Sequence, residues 1–336
     1  MFSDGIFPES WATAIIVPIH KKGKKNVPDN FRGISLLSII SKLYTSILTS
    51  RLYSWAEEFG KLGNMQAGFR RNFATTDHIF TLTQIVSNCL YGDRRQKVYC
   101  IFIDYAKAFD SVKRDKLWEV LQKIGVSAGF LRALQAIYKS VNSRVRAGSQ
   151  LSGIFECPVG LRQGCKLSPT IFSLLINEVA IALQNEGRPG YQFRAGCDDV
   201  RTLLFADDIS MIALTPQDLQ RLINILVRVS DDLGLKVNLD KTKIIIFRKG
   251  GIIARRERWF LAQKEIEIVN NYKYLGLILT TKLSMQTALS EFVGRAKKRV
   301  LEILRIINYI GYMNPNIYFK LIDSIVVPLA LYSSEV

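Results

Sequence analysis

Apolar and polar positions along this chain follow two periods, and the places where the period changes mark its elements. Val98-Tyr99-Cys100-Ile101-Phe102-Ile103 is an unbroken apolar run that ends in Asp104. Such a run predicts a strand buried on both faces, with an acid presented at its end. Residues 203–214, LLFADDISMIAL, set the adjacent acids Asp207 and Asp208 between two apolar runs, the pattern of a β-hairpin. Helical spacing dominates elsewhere. Residues 36–55 carry Ile40, Leu43, Ile47, Leu48 and Leu52, and residues 76–90, 113–124 and 130–138 repeat the pattern. Ser168-Pro169 reads as an N-cap and first turn ahead of the stripe Phe172, Leu175, Val179, Ala182 and Leu183. Thr215-Pro216 opens a helix through Leu219, Leu222, Ile223, Leu226 and Leu233 that stops at Gly234. Shorter extended segments are expected at residues 11–19, 144–147, 154–159 and 244–247, with 265–269 pairing 272–279. The tail steps through Leu289, Val293, Ala296, Val300, Ile303 and Ile307 as a helix. Strands and helices in this order predict an α+β fold, a mixed sheet flanked by two basic units.

Composition narrows the class. At 48% hydrophobic and 22% charged residues, the 336-residue chain is neither disordered nor membranous. Its first residues lack the basic start and apolar run of a secretory signal. Five cysteines without a CxxC pair predict reduced thiols in an intracellular protein, nuclear or cytoplasmic. The net charge of +17 is clustered: Lys21, Lys22, Lys24 and Lys25, then seven basic residues against one acid across residues 241–258, then residues 295–305. Three separate clusters on so basic a chain favour a nucleic-acid partner over a generic solvated surface.

The acids sharpen that reading. Unpaired carboxylates in an apolar hairpin are costly, and a divalent cation shared between them is an economical explanation. A solvated turn, where Asp bonds its own backbone, is the plainer alternative for Asp207 and Asp208 taken alone. Gly164, just ahead of the helix at Ser168, is where backbone approaches a ligand closely, or an ordinary loop glycine.

Seven blocks in order, NFRGISLLS, QAGFR with TTDHI, FIDYAKAFDSV, LRQGCKLSP, LLFADD, LGLKVNLDKTK and YKYLGL, resemble the reverse transcriptases of non-LTR (LINE-type) retrotransposons. The resemblance implies a right-hand polymerase fold with fingers at residues 1–95, palm at 96–283 with some fingers elements interleaved, and a partial thumb at 284–336. It implies an RNA-directed DNA polymerase with an RNA template, a DNA primer and deoxynucleoside triphosphates as partners, no membrane, and two Mg²⁺ ions as cofactors, with Mn²⁺ as a substitute.

The same resemblance carries roles onto particular residues. Asp104, Asp207 and Asp208 would hold the metals with the carbonyl of Tyr105, and Lys241 would donate a proton to pyrophosphate. Arg32 and Lys22 would hold the triphosphate, Gln163 and Gly164 would pack against nucleotide and template, and Phe109 would exclude a ribose 2′-hydroxyl. Tyr274, Leu275 and Gly276 resemble a primer-gripping hairpin, and Lys297, Lys298 and Arg299 would track the hybrid. Residues 331–336, LYSSEV, resemble the family's LYGSE segment cut short, with Ser333 where Gly is usual, and Met1 is expected to be internal to a longer frame. Two competing readings are a truncated remnant that binds RNA or DNA without polymerising, and an RNA-dependent RNA polymerase. Phe109 argues against the second.

Overall fold

The computed structural model describes residues 5–21, 23–92, 95–186, 190–194, 197 and 199–336; Lys22 lies outside them. Two sheets organise the chain. In the first, β1 (Thr13–His20) pairs antiparallel with β2 (Phe31–Leu36) and parallel with β4 (Asn142–Ala147). The two-residue strands β5 (Gln150–Leu151) and β6 (Phe155–Glu156) both attach to β4. The second is antiparallel throughout, in the order β7-β8-β3-β9: β7 (Thr202–Phe205), β8 (Asp208–Ala213), β3 (Val98–Ile103) and β9 (Lys243–Phe247).

β3 is the hub. All six of its residues are buried, as an unbroken apolar run requires. Its two faces pack into different clusters because side chains alternate along a strand. Tyr99, Ile101 and Ile103 join Ile209, Met211, Ile244 and Ile246 against helices Leu167–Gln184 and Pro216–Leu233. Val98, Cys100 and Phe102 face helix Thr75–Tyr91 and a hairpin that follows β9. β10 (Phe260–Leu261) and β11 (Lys264–Glu265) form one small ribbon. β12 (Asn271–Tyr274) and β13 (Leu277–Thr280) form the hairpin itself. The expected pairing of 265–269 with 272–279 is therefore corrected: residues 272–279 fold back on themselves, because Gly276 at φ +97° supplies the tight turn.

Three further expectations change. Helix Ile39–Glu58 buries Ser41, Thr45, Leu48, Leu52 and Ala56, while Ile40, Leu43 and Ile47 stay exposed. Small polar residues at 41 and 45 fill the packed face, so the apolar stripe read from the sequence splits in two. The helix after Gly164 starts at Leu167, two residues earlier than expected, so Ser168 is not its N-cap. The Ser168 hydroxyl instead donates to the Arg162 carbonyl at 2.8 Å. In helix Gln286–Ile310, Ala288, Phe292, Ala296 and Ile303 are buried, whereas Leu289 and Val293 are exposed.

Other signals hold. Thr215 Oγ1 accepts from the Asp218 amide at 3.2 Å, and Gly234 closes the same helix at φ +75°. All five cysteines are free thiols. Among the described residues, Leu167–Gln184 alone has the length and composition to cross a bilayer, but 72% of it is buried inside the protein, the character of a core helix.

Candidate active site

The site forms where β3 ends beside the β7–β8 turn. The ladder between β3 and β8 runs to Ile103 opposite Ile209, so its next step sets Asp104 across from Asp208. Alternation puts both acids on the face that also carries Phe102 and Ser210. Phe205 pairs with Asp208, which leaves Ala206 and Asp207 as the two residues of the turn. Acids 103 residues apart in sequence thus meet at one end of one sheet.

Their electrostatics are those of crowded carboxylates. Burial, then the charges of Asp207 and Asp104, push the Asp208 carboxyl up to about 6. Asp207 is also raised, chiefly by burial and then by Asp104, with Arg32 and Lys241 as the cations that oppose the shift. Lys241 Nζ lies 3.1 Å from Asp104 Oδ2. It is placed there by the loop before β9, where the Asn238 amide donates to the Asp104 carbonyl at 2.7 Å and the Thr242 amide donates to the Asn238 carbonyl at 2.9 Å.

Among the described residues no three His, Cys, Asp or Glu side chains converge into a ready ligand cluster. The residues nonetheless fit a hard divalent cation. All donors are oxygen, and the carboxylates of Asp104, Asp207 and Asp208 are close enough for their charges to raise the proton affinity of Asp207 and Asp208, a crowding that a bound cation would relieve. Tyr105 contributes at most its backbone, since its side chain turns into the core and pairs with Ser230 Oγ at 2.7 Å.

The remaining expected residues separate into those near these acids and those away from them. Phe109 stacks on Phe172 with ring centroids 4.4 Å apart and meets Phe69 edge-on at 6.2 Å. It is thus a core aromatic on one side and an open ring on the other. Gln163 Nε2 donates to Asp110 Oδ1 at 2.7 Å, and Gln163 lines a cavity of about 420 Å³ with Gly33, Ser35, Asp110 and Arg162. Gly164 makes its close approach to the fold itself: at φ +103°, a Cβ there would stand 2.4 Å from the Ser35 carbonyl oxygen of β2. Arg32, exposed on β2, is near enough for its charge to oppose the shift at Asp207.

Tyr274, Leu275 and Gly276 form the tip of the β12–β13 hairpin, which packs on the acid-bearing face. Tyr272 stacks on Phe102 at 4.3 Å, and Ser210 Oγ donates to the Tyr274 hydroxyl at 3.2 Å. Tyr332 braces this tip from the far end of the chain, donating to the Leu275 carbonyl at 2.6 Å while pairing with Thr75 Oγ1 at 2.8 Å. Ser333, beside it, has φ +56°, the conformation that explains glycine's usual place there. Lys297, Lys298 and Arg299 are exposed on helix Gln286–Ile310, away from the acids, and Arg299 pairs with Glu302.

Two blocks do more than their sequence disclosed. QAGFR reads as a glycine loop, yet it wraps the β7–β8 turn. Met65 and Ala67 exchange backbone hydrogen bonds with Leu204 at 2.8 and 2.9 Å, and Gly68 abuts Ala206. His78, from TTDHI, is buried and donates through Nε2 to the same Leu204 carbonyl at 2.9 Å. An apolar-period reading has no signal for such contacts, because all but that of His78 are made by backbone atoms, whatever the side chain. Only the co-occurrence of the blocks hinted at them.

A family model described as reverse transcriptase (RNA-dependent DNA polymerase) matches residues 19–279. A probable RNA-directed DNA polymerase from transposon BS of Drosophila melanogaster is 25% identical over 337 residues, covering 98% of this chain and 36% of that protein. A retrovirus-related Pol polyprotein from the R2 retrotransposable element of Popillia japonica is 26% identical over 344 residues, covering 98% of this chain and 45% of its own length. The chain thus spans less than half of these curated relatives. In three dimensions it resembles apo telomerase from Candida tropicalis, with a TM-score of 0.54 at 14% identity over 84% of this chain and 55% of that one. At that identity the likeness speaks to the fold, which is that of a right-hand polymerase. With the acids at the sheet end, the ordered blocks and a family match over most of its length, this chain belongs to the reverse transcriptase family.

Proposed function

We propose that this chain is the polymerase core of an RNA-directed DNA polymerase of the non-LTR retrotransposon type, extending a DNA primer on an RNA template. The observation that carries this reading is the meeting of Asp104 with Asp207 and Asp208 at one end of the β7-β8-β3-β9 sheet. Residues 1–95 then act as fingers, 96–283 as palm with fingers strands interleaved, and 284–336 as a partial thumb.

The carboxylates of Asp104, Asp207 and Asp208, with the Tyr105 carbonyl, are the groups that would hold two Mg²⁺ ions, or Mn²⁺ in their place. Such ions, when bound, lower the pKa of the attacking hydroxyl and stabilise charge on the leaving oxygens. The chain's own residues supply the rest. Arg32, whose charge is felt at Asp207, carries a planar guanidinium suited to bidentate contact with triphosphate oxygens; Lys22 is assigned a share of that role. Lys241 holds a proton on Nζ within reach of Asp104, where release of that ion pair frees it to protonate departing pyrophosphate. Phe109, backed by Phe172, presents a ring that a 2′-hydroxyl would strike. Gln163 borders a cavity in which nucleotide and template would pack, and Gly164, the next residue, is assigned a share of that role. The tip at Tyr274, Leu275 and Gly276 would seat the primer, and Lys297, Lys298 and Arg299 would lie along hybrid phosphates.

The test is extension of a DNA primer on an RNA template with deoxynucleotides, and in parallel with ribonucleotides. Extension with the first alone supports the assignment. Tight, salt-sensitive hybrid binding without extension would point instead to a binding remnant.

A further inference from the structure

Ala206 opens the two-residue turn at φ +60°, a position that such hairpin turns normally give to glycine because a Cβ is strained there. It is nevertheless buried, and its amide lies where no neighbouring strand can accept from it. The acceptor is the side chain of Gln66. Fully buried, Gln66 Oε1 accepts from the Gly68 amide at 2.8 Å and from the Ala206 amide at 3.3 Å. Because both partners are N–H donors, the oxygen must face them and the amide cannot be flipped. The loop carrying Gln66 is itself pinned. Arg70 makes a two-pronged pair with Glu57, at 2.9 and 2.6 Å, and donates to the Gly63 and Gln66 carbonyls.

We infer that Gln66 is a positioning residue: its carboxamide oxygen holds the strained Ala206 conformation and thereby aims the carboxylate of Asp207, the next residue. Two observations separate this from a packing role. Gln66 Nε2 is buried with no partner among the described residues, so half of the amide costs the fold stability and does not contribute to it. The other half bonds the one turn whose torsion decides where Asp207 points. The inference rests on the polymerase reading for its catalytic consequence, but not for its structural one.

The test compares wild type, Gln66→Met, Ala206→Gly and the double variant. Methionine keeps the volume and removes the acceptor, while glycine adopts φ +60° without strain and so needs no clamp. In primer extension, Q66M is expected to lower kcat by roughly 10- to 100-fold, the scale of ångström misplacement, to raise the Mg²⁺ concentration for half-maximal rate, and to leave KM for the deoxynucleotide within about twofold. In the A206G background the same change should cost less than about threefold, a coupling that independent sites do not show. Equal losses in both backgrounds would overturn the inference. Amide hydrogen exchange decides it apart from activity. The Ala206 amide should exchange at least about tenfold faster in Q66M than in wild type at a common melting temperature; unchanged exchange would refute the clamp. A wild-type chain that extends no primer would overturn the polymerase reading alone.

Discussion

Gly68 offers the sharpest perturbation of the site from outside it. A Cβ built at this residue would lie 2.0 Å from the Ala206 nitrogen and 2.8 Å from both the Ala206 Cα and the Phe205 carbonyl carbon. These are backbone atoms, so no rotamer change relieves the overlap. Reaching ordinary contact, about 3.5 Å, requires the loop and the β7–β8 turn to separate by roughly 1.5 Å. The loop is held by Arg70 and Glu57 and the turn by its own strand pair, so the displacement falls on the segment between Phe205 and Asp208. Misplacing a reacting group by about 1 Å costs on the order of 100-fold in rate. Gly68→Ala is therefore expected to reduce single-turnover extension by about two orders of magnitude. Hybrid binding, which the proposed reading assigns to basic residues such as Lys297, Lys298 and Arg299, should stay within about threefold. The assay is rapid-quench extension of one deoxynucleotide on a preformed hybrid, with melting temperature as the folding control. A G68A chain that extends at the wild-type rate would show that the loop does not set the turn.

Other expectations follow from the same geometry. Phe109→Val should admit ribonucleotides, raising their kcat/KM relative to deoxynucleotides by about 10- to 100-fold, since a missing steric block is worth roughly 1–3 kcal/mol; unchanged selectivity would place the gate elsewhere. Asp208 has a folded pKa raised to about 6, above the unfolded carboxyl range near 3.9, so its ionisation opposes folding. That opposition is absent at low pH, grows as pH rises toward 6 and is complete above it. Metal-free Asp208→Asn should accordingly melt higher than wild type at pH 8 and match it near pH 4, by calorimetry. Lys241→Met removes a cation that lowers both turn acids, so the acid limb of the pH–rate profile should move to higher pH; a fixed limb would deny Lys241 that influence. Tyr332→Phe deletes a hydroxyl bonded to Leu275 and Thr75. It should cost about 1 kcal/mol or less of stability but raise the KM for primer, which melting and steady-state kinetics separate.

How far the sequence discloses this arrangement depends on the kind of contact. β3 was legible because burial on both faces demands an unbroken apolar run, and residues 98–103 provide one. The hairpin around Asp207 and Asp208 was legible for the same reason, as was the Thr215 cap with its glycine stop. Helix Ile39–Glu58 was legible as a helix but not in its facing. Ser41 and Thr45 occupy the packed side while Ile40, Leu43 and Ile47 do not, so apolar periodicity named the wrong stripe. The hairpin at Tyr274 came from resemblance and not from periodicity, because its strands are four residues each, too short for a period to show. Gln66, Gly68, His78 and Tyr332 were invisible as site residues. Each acts on backbone 57 to 140 positions away in sequence, and local pattern holds no record of such distances. Resemblance supplied what periodicity lacked: it set Asp104 with Asp207 and Asp208 before any coordinates did. Gly164 has a use that chemistry alone did not disclose: its freedom serves a close contact with Ser35 of the neighbouring strand.

The central claim is that the carboxylates at the sheet end carry out nucleotide addition. Asp207→Asn changes one oxygen to nitrogen and leaves volume and turn intact, so it isolates charge from shape. Extension of a DNA primer on an RNA template, measured beside hybrid affinity at one salt concentration, is the direct test. Expected are extension by the wild-type chain, a loss of at least about 1,000-fold in D207N as befits a transition-state contact, and hybrid affinity unchanged within about twofold. Extension persisting in D207N at near the wild-type rate would contradict that claim.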